Sequence, residues 1–270
     1  MDYVISDNDF ALFSKLVYER TGINLHFGKK QLLQSRVNKI LRIRGIPSYR
    51  AYYELIKKDN SEKELMEFIN LISTNVTHFF REIKHFEFLK NIWYPEFLKN
   101  NDKMINIWSS ACSSGEEPYS IAITLKELLS HKHNFEILAT DISTKVLSIA
   151  QRGIYPLSSL EKVSPMITKK YFFEGKNSAK GYVKIKDELK QHIVFEKLNL
   201  IEPFKLSSKY DVIFCRNVMI YFDTKVKELI VNKMYNSMNT GSYLMIGHSE
   251  SLNGISHSFK YIMPAIYKKE

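Results

Sequence analysis

The stretch MINIWSSACSSGEEPYS, residues 104–120, decides the fold class. It begins with a short apolar run that ends at Trp108, continues through small residues to Gly115, and opens onto a helical pattern from Tyr119 to Ser130. In open α/β sheets, ligands bind at the carboxyl ends of the strands, where small residues let a ligand approach the backbone. The pattern therefore predicts a strand, a ligand-binding turn and a helix.

Further apolar runs separated by helical segments follow this stretch. They are Phe135 to Ala139, Tyr210 to Cys215 and Tyr243 to Ile246. Strands that alternate with helices indicate βαβ units and a mostly parallel sheet, so we predict an α/β, Rossmann-like domain over residues 103–270. An insertion at about 166–198 contains strand-like pieces, Gly181 to Ile185 and His192 to Phe195, and predicts a small antiparallel β subdomain inside it.

The residues before the sheet have helical periodicity throughout. Apolar spacing predicts helices over 8–20, 29–44, 48–58, 61–72 and 82–100, with Gly45 ending the second. We interpret 1–80 as an all-helical domain and 81–102 as a linking helix. Aromatic residues at helical spacing in that linking helix are predicted to be core: Phe86, Trp93, Tyr94 and Phe97.

Composition restricts the class of protein. With 44% hydrophobic and 25% charged residues, the chain is neither disordered nor collagenous. Its 39 Lys and Arg exceed its 29 Asp and Glu by ten, which favours an anionic partner. Two cysteines, no signal-like N-terminus and no apolar run of about 18 residues predict a cytoplasmic protein that does not insert into a membrane.

The turn at residues 109–118 does not suit a dinucleotide. A nicotinamide dinucleotide requires G-x-G-x-x-G here, and only Gly115 is present. Glu116 and Glu117 stand where the diphosphate would lie, and two carboxylates there would repel it. They suit a cofactor that carries an ammonium or sulfonium cation.

Asp141 ends the second predicted strand, where an acid accepts hydrogen bonds from both ribose hydroxyls of a nucleoside. Adenosine joined to a cationic amino acid is S-adenosylmethionine. The alternative is purely structural. Asp141 caps the helix that follows it, and Glu116 and Glu117 form an acidic first turn that complements the dipole of their own helix.

Four longer segments carry a resemblance to a known family. They read STNVTHFFRE at 73–82, SGEEPYS at 114–120, FCRNVMIYF at 214–222 and GHSES at 247–251. Together, and in this order, they closely resemble the CheR family of chemotaxis receptor glutamate O-methyltransferases. The resemblance extends over essentially the whole chain.

The resemblance implies methyl transfer from S-adenosylmethionine to glutamate side chains on the cytoplasmic helices of methyl-accepting chemoreceptors. The products are glutamyl methyl esters and S-adenosylhomocysteine, and the enzyme acts in chemotaxis signalling, as a monomer. By family analogy the cofactor-binding residues are Asn75, Thr77, Arg81, Glu117, Asp141, Asn199, Leu200, Cys215, Arg216 and Asn217. The segment Glu174 to Gly181 stands where receptor-tethering members carry a glycine-rich loop.

Such a reaction needs positioning more than acid–base catalysis. A glutamate side chain, with a pKa of about 4.3, is already ionised at neutral pH. Arg81 and Tyr221 are the predicted catalytic residues, the first for charge and the second for a hydrogen bond. In the opposing interpretation, Arg81 only pairs with a neighbouring acid and Tyr221 is a core aromatic.

No metal is expected, because His78, His85, His248 and His257 lack ligand spacing in the sequence. His248-Ser249-Glu250 is interpreted as a loop motif that shapes the floor of the pocket.

Two rival functions remain open at this point. One is nucleic-acid methylation, although Arg216-Asn217-Val218-Met219 lacks the prolines that base amino-methyltransferases commonly carry there. The other is a non-catalytic S-adenosylmethionine-binding module. We expect no nucleic acid among the partners.

A row of basic residues on the second predicted helix suggests a partner surface without any appeal to the family resemblance. On the second predicted helix, Arg36, Lys39 and Arg42 follow at steps of three and form a slanting row beside the apolar face. We predict that this row docks acidic receptor helices. The alternatives are a solvated face or contact with phosphates.

Overall fold

A computed structural model describes residues 3–59, 61–73, 75–100, 104–129 and 134–270. The chain divides into two units: Met1–Thr74 with Tyr221–Lys227, and Asn75–Ile220 with Glu228–Glu270. This grouping differs from the predicted division of the chain at residues 80 and 102. The boundary at residue 102 lies outside the described residues. None of the described helices has the length and hydrophobicity to cross a membrane.

Within residues 3–59 and 61–73 of the first unit, the structure has four α-helices at the positions expected from apolar spacing: α1 (Asp7–Thr21), α2 (Lys30–Arg44), α3 (Tyr49–Lys58) and α4 (Lys63–Ile72). The Ser6 hydroxyl caps α1 by accepting from the Asp9 N–H, and Gly45 ends α2 with φ of 63°. Phe13 is fully buried and its ring packs against Tyr49, Tyr52 and Phe68. The apolar face of α2 is covered, as predicted, with its buried residues Leu33, Val37, Ile40 and Leu41.

The second unit opens with α5 (Lys84–Phe88), a π-helical turn (Leu89–Trp93) and α6 (Tyr94–Asn100), where the sequence predicted one helix. Phe86, Trp93 and Phe97 are buried in the main core, and Tyr94 packs against it. The remaining helices are α7 (Glu116–Leu128), α8 (Thr144–Arg152), α9 (Pro165–Tyr171), α10 (Asp187–Lys190) and α11 (Thr224–Asn236). The predicted end of α7 at Ser130 lies outside the described residues.

Seven strands form the main sheet, in the order β6-β2-β1-β7-β8-β10-β9. Their bounds are β1 (Ile105–Ser109), β2 (Phe135–Asp141), β6 (Ile193–Lys197), β7 (Tyr210–Cys215), β8 (Met238–Ile246), β9 (Lys260–Met263) and β10 (Ile266–Lys268). The first five in spatial order are parallel to one another, and β10 runs antiparallel to β8 and β9. The chain leaves β1 toward β2 on one side and returns to β7 on the other. The strand order therefore reverses beside β1, where such sheets bind ligands.

A separate antiparallel sheet has the order β3-β5-β4, with β3 (Ile154–Pro156), β4 (Phe172–Glu174) and β5 (Tyr182–Ile185). This confirms a small antiparallel sheet but corrects its membership. The piece predicted at His192 to Phe195 belongs to β6, which pairs in parallel with β2 in the main sheet. The sheet is completed instead by β3 and β4, neither of which the sequence analysis singled out, and β3 lies outside the predicted insertion at 166–198.

Candidate active site

The loop after β1 brings α7 close to α8. Gly115, with φ of 97°, precedes α7, and a Cβ there would lie 2.7 Å from the Cβ of Ala150. Glycine is therefore required at this turn for close helix packing and for its backbone conformation.

Asp141 is the last residue of β2, and both its carboxylate oxygens accept backbone N–H groups. Oδ2 accepts from Ser113 and Oδ1 from Ser143, each at 2.9 Å. Burial raises the pKa of Asp141, and these backbone donors oppose that shift. The helix-cap alternative for Asp141 is wrong in detail, because the Ser143 side chain caps α8.

The two adjacent glutamates separate into different roles. Glu116 is buried and accepts from the Ser114 hydroxyl at 2.7 Å, and burial raises its pKa. Glu117 accepts from the Ser109 hydroxyl at 2.7 Å and from Arg216 Nη1 at 2.8 Å. Glu117 is thus tied to the ends of β1 and β7.

Arg216 follows β7 and is buried, with 4% of its surface exposed, and it contacts several residues at this edge of the main sheet. Besides Glu117, its guanidinium contacts Glu82 Oε2 at 3.1 Å and donates to the carbonyl oxygen of Arg81. A fork that bridges two carboxylates orients both of them. Sequence reasoning found Arg216 but missed Glu82, although Glu82 closes the first of the family-like segments.

Arg81 lies between two residues with left-handed backbone, Phe80 (φ 54°) and Glu82 (φ 58°). The Phe80 N–H donates to the Ser120 hydroxyl at 2.9 Å. Arg81 is half-buried, and its Nη1 donates to the Val76 carbonyl at 2.8 Å. Among the described residues it forms no ion pair, so it retains donors for a ligand, and the acid-pairing role belongs to Arg216.

Asn217 is held at both its main chain and its side chain. Its N–H donates to Glu250 Oε2 at 2.9 Å, and its Nδ2 donates to Glu82 Oε1 at 3.2 Å. Glu250 also accepts from the N–H groups of Gly247 (2.6 Å) and Ile220 (3.2 Å). The interpretation of His248-Ser249-Glu250 as a loop motif that shapes the pocket floor did not include this anchoring of Asn217 by Glu250.

Other predicted cofactor residues lie around the same strand ends. The Asn75 carbonyl accepts from the Ser113 hydroxyl at 3.2 Å, which joins it to the Asp141 loop. Asn199 and Leu200 follow Leu198, whose N–H donates to the Asp141 carbonyl at 3.1 Å, but the Asn199 amide donates to Glu202.

Three of the predicted residues contribute less to these networks, although the Cys215 thiol interacts with Ser110 in the loop after β1. Cys215 is fully buried at the end of β7, and burial raises the pKa of its thiol. Thr77 is half-buried. Tyr221 groups with the first unit, where its carbonyl accepts from the Asn24 N–H at 2.8 Å.

The expectation that no histidine has ligand partners needs correction. Glu82, His85 and His248 bring one ligand atom each within 4.8 Å of one another. Glu82 and His85 lie on either side of the turn that leads into α5, where the His85 N–H donates to the Glu82 carbonyl at 3.1 Å, and His248 follows β8. Burial, followed by the Arg216 charge, lowers the pKa of His85 to about 3, so its ring is neutral. A cation at this cluster would compete with Arg216 and with the His248 N–H for Glu82 Oε2.

The predicted basic row lies in the first unit and is not uniform. Lys39 and Arg42 are exposed, but Arg36 Nη1 donates to the carbonyls of Leu71, Ile72 and Ser73 at 3.1, 2.6 and 3.1 Å. Arg36 thus satisfies the last carbonyls of α4. Its guanidinium is engaged inside the unit, whereas the side chains of Lys39 and Arg42 are exposed.

Two family models together match nearly the whole chain. Residues 8–73 match the family model described as the CheR methyltransferase all-alpha domain, and residues 75–267 match the CheR methyltransferase SAM binding domain. The chain is 43% identical to a chemotaxis protein methyltransferase of Borreliella burgdorferi, over 98% of this chain and 95% of that protein. It is 38% identical to one of Klebsiella aerogenes, over 94% and 87%.

A solved structure of magnesium protoporphyrin IX methyltransferase from Synechocystis PCC 6803 with bound SAM is more distant. It is 12% identical over 76% of this chain and 74% of that chain, with a TM-score of 0.33.

Proposed function

The chain belongs to the CheR methyltransferase family, and from that premise we propose that it methylates glutamate side chains of chemoreceptors with S-adenosylmethionine. The single observation that carries this function at the level of the site is the pair of acids at adjacent strand ends, Glu117 after β1 and Asp141 on β2. They lie beside the reversal of strand order, and the loop lacks a phosphate-binding glycine pattern. The products are glutamyl methyl esters and S-adenosylhomocysteine.

The donor set of this edge fits S-adenosylmethionine, which supplies an activated methyl group on a sulfonium. Carboxylates are the natural partners of its cationic centres and of ribose hydroxyls. We assign Asp141 to the ribose and Glu117 to the amino-acid part. Arg216 acts mainly through Glu117, because its own guanidinium is buried among protein partners.

Asn217 continues this arrangement. Its Nδ2 donates to Glu82, and the side-chain carbonyl is thereby oriented as an acceptor. Asn75, next to the Ser113 loop, and the pair that follows Leu198 are the remaining candidates for cofactor binding.

The acceptor carboxylate requires orientation and partial removal of water. With a pKa of about 4.3 it is already ionised, so no general base and no metal are needed to create the nucleophile. It must lie in line with the methyl–sulfur bond at about 3 to 3.5 Å. Arg81, with unused N–H donors, steers the anion, and the Tyr221 hydroxyl supplies a hydrogen bond.

We assign the exposed pair Lys39 and Arg42 on α2 to the partner surface. Opposite charges raise the rate of encounter with acidic helices, more than they raise the final affinity. The partner is then the cytoplasmic helical part of a chemoreceptor, with the enzyme a cytoplasmic monomer and no nucleic acid bound.

A filter assay with radiolabelled S-adenosylmethionine tests this function. The purified chain is incubated with receptor cytoplasmic fragments, with the same fragments in which the acceptor glutamates are glutamines, and with duplex and single-stranded nucleic acid. We expect label only in the first arm, and its release by mild base as a methyl ester requires. Label in nucleic acid would favour the rival methyltransferase. Cofactor binding without label anywhere would indicate a non-catalytic module.

A further inference from the structure

Among the described residues, the hydrogen-bond donors to the Glu250 carboxylate are all backbone N–H groups. Oε2 accepts from Asn217 (2.9 Å) and Gly247 (2.6 Å), and Oε1 accepts from Ile220 (3.2 Å). In the part of the chain that the structure describes, no Lys or Arg forms an ion pair with it. Its charge is therefore stabilised by the turn that it holds.

Burying the Glu250 carboxylate costs free energy of hydration, and the backbone N–H groups of the turn offset part of that cost. Burial raises the pKa of Glu250, and the N–H groups of Gly247, Asn217, Ile220 and Met219 act in the opposite direction. A partly buried carboxylate loses hydration that several donors must replace. An apolar side chain would fill the same space without that loss, so the oxygens have a specific task.

The geometry around Asn217 is tight and its backbone is unusual. Asn217 has a φ of 57°, in the left-handed region that few non-glycine residues enter, although asparagine tolerates it better than most. A Cβ on Gly247 would lie 2.6 Å from Asn217 Nδ2 and 2.8 Å from Glu250 Oε2. The two strand-end loops, after β7 and after β8, are thus fitted against each other with no room for a side chain.

We propose that Glu250 is a positioning residue for methyl transfer: it fixes the turn Asn217–Ile220, and thereby the side-chain amide of Asn217. This inference rests on the proposed function, because the turn matters only if it serves the cofactor and the acceptor. Glu250 touches neither and acts through the residues that it holds. Both anchored N–H groups, those of Asn217 and Ile220, lie between the end of β7 and Tyr221.

Glu250→Gln tests this role with little change in volume. A glutamine keeps one acceptor but turns an NH2 group toward backbone donors, so part of the turn loses its anchor. We expect kcat per S-adenosylhomocysteine-binding site to fall on the order of tenfold or more. Amide exchange at Asn217 and Ile220 should accelerate by a similar factor. Counting cofactor-binding sites by calorimetry corrects kcat for any unfolded protein. If Glu250 only stabilised the fold, the variant would lose binding sites but keep its kcat per site.

Glu228→Gln is the matched control, since Glu228 Oε2 also accepts a backbone N–H, from Ser256 at 3.0 Å. It should leave both quantities at the wild-type level. Glu250→Asp keeps the charge but shortens the reach, and it should lose activity like Glu250→Gln.

The proposal is overturned if Glu250→Gln turns over at the wild-type rate per binding site. It is overturned equally if the wild-type amides of Asn217 and Ile220 exchange as fast as an unprotected loop, a measurement that needs no variant. A wild-type chain that fails to methylate receptor fragments would refute the proposed function instead.

Discussion

Arg216 and Glu117 form a buried ion pair, with 2.8 Å between Nη1 and Oε2, across 99 residues of chain. The same guanidinium also contacts Glu82. Asn217, the residue after Arg216, donates to Glu82 as well, across 135 residues of chain. Three separate parts of the chain are thereby fixed at one edge of the sheet. The orientation of the candidate cofactor acid depends on this single guanidinium.

Replacing Arg216 by Met should lower the free energy of unfolding by about 3 to 5 kcal/mol at pH 7, since two largely buried carboxylates lose their partner. The pKa of Glu82 is lowered in the folded protein, with Arg216 opposing the effect of burial. Stability from that carboxylate is present above its ordinary pKa of 4.5 and is lost as pH falls through the lowered value. The difference between variant and wild type should therefore shrink in acid, as urea unfolding can measure.

Arg44→Met is the control for that measurement. Arg44 pairs with Glu64 and Glu67 at a more exposed position, so its loss should cost no more than about 1 kcal/mol. If the two variants lost equal free energy of unfolding, the interpretation of Arg216 as the partner of two largely buried carboxylates would be wrong.

Asp141→Ala should weaken S-adenosylhomocysteine binding by about 1 to 3 kcal/mol through lost charge-assisted hydrogen bonds. Isothermal titration calorimetry of the folded variant measures this. Asp211→Ala is the matched control, because Asp211 also accepts a backbone N–H, from Asn106 at 2.9 Å, but lies near the start of β7. Unchanged affinity in Asp141→Ala would remove Asp141 from the cofactor site.

Tyr221→Phe should lower kcat with little change in cofactor affinity, because its hydroxyl is expected to act mainly in the transition state. Steady-state methylation of receptor fragments, combined with calorimetry, separates the two quantities. Tyr261→Phe, at an exposed position on β9, provides the control. If Tyr221→Phe and wild type turn over equally, Tyr221 is a packing residue.

His85 should make stability depend on pH above the range in which carboxylates titrate. Its folded pKa is about 3, against an ordinary value of 6.5. Below pH 6.5 the unfolded chain binds a proton that the folded protein does not, so stability decreases as pH falls, by up to about 1.4 kcal/mol per pH unit. His85→Phe should flatten the curve between pH 7 and 5 in urea unfolding.

The pKa values of His78 and His192 are lowered too, but both residues contribute equally to wild type and variant. Exposed His26→Gln is the control and should keep the wild-type slope. An unchanged slope in His85→Phe would show that the imidazole is solvated.

Lys39→Glu combined with Arg42→Glu should slow receptor methylation most strongly at low ionic strength, because salt already screens the attraction at high ionic strength. Cofactor binding should stay intact. Arg36 is left unchanged, since Arg36→Glu would also remove the donor to the carbonyls of Leu71, Ile72 and Ser73 at the end of α4.

The charge-matched control is Lys57→Glu with Lys58→Glu at the end of α3. A normal rate at low salt in the Lys39 and Arg42 variant would exclude this surface from docking.

The sequence by itself determined the elements and the chemistry of the strand ends. The helices of the first unit, the strands at Tyr210–Cys215 and Phe135–Asp141, and the acids after β1 and β2 are readable because apolar periodicity and turn residues are local properties. The family-like segments likewise indicated Arg81, Arg216 and Asn217.

Only the tertiary structure decided which of these residues meet. The placement of Ile193–Lys197 beside β2, the carbonyl contacts of Arg36 and the anchoring of Asn217 by Glu82 and Glu250 all join distant parts of the chain. Such contacts leave no period in the sequence, because a strand pairs, and a buried charge finds its counter-charge, through the packing of the whole core.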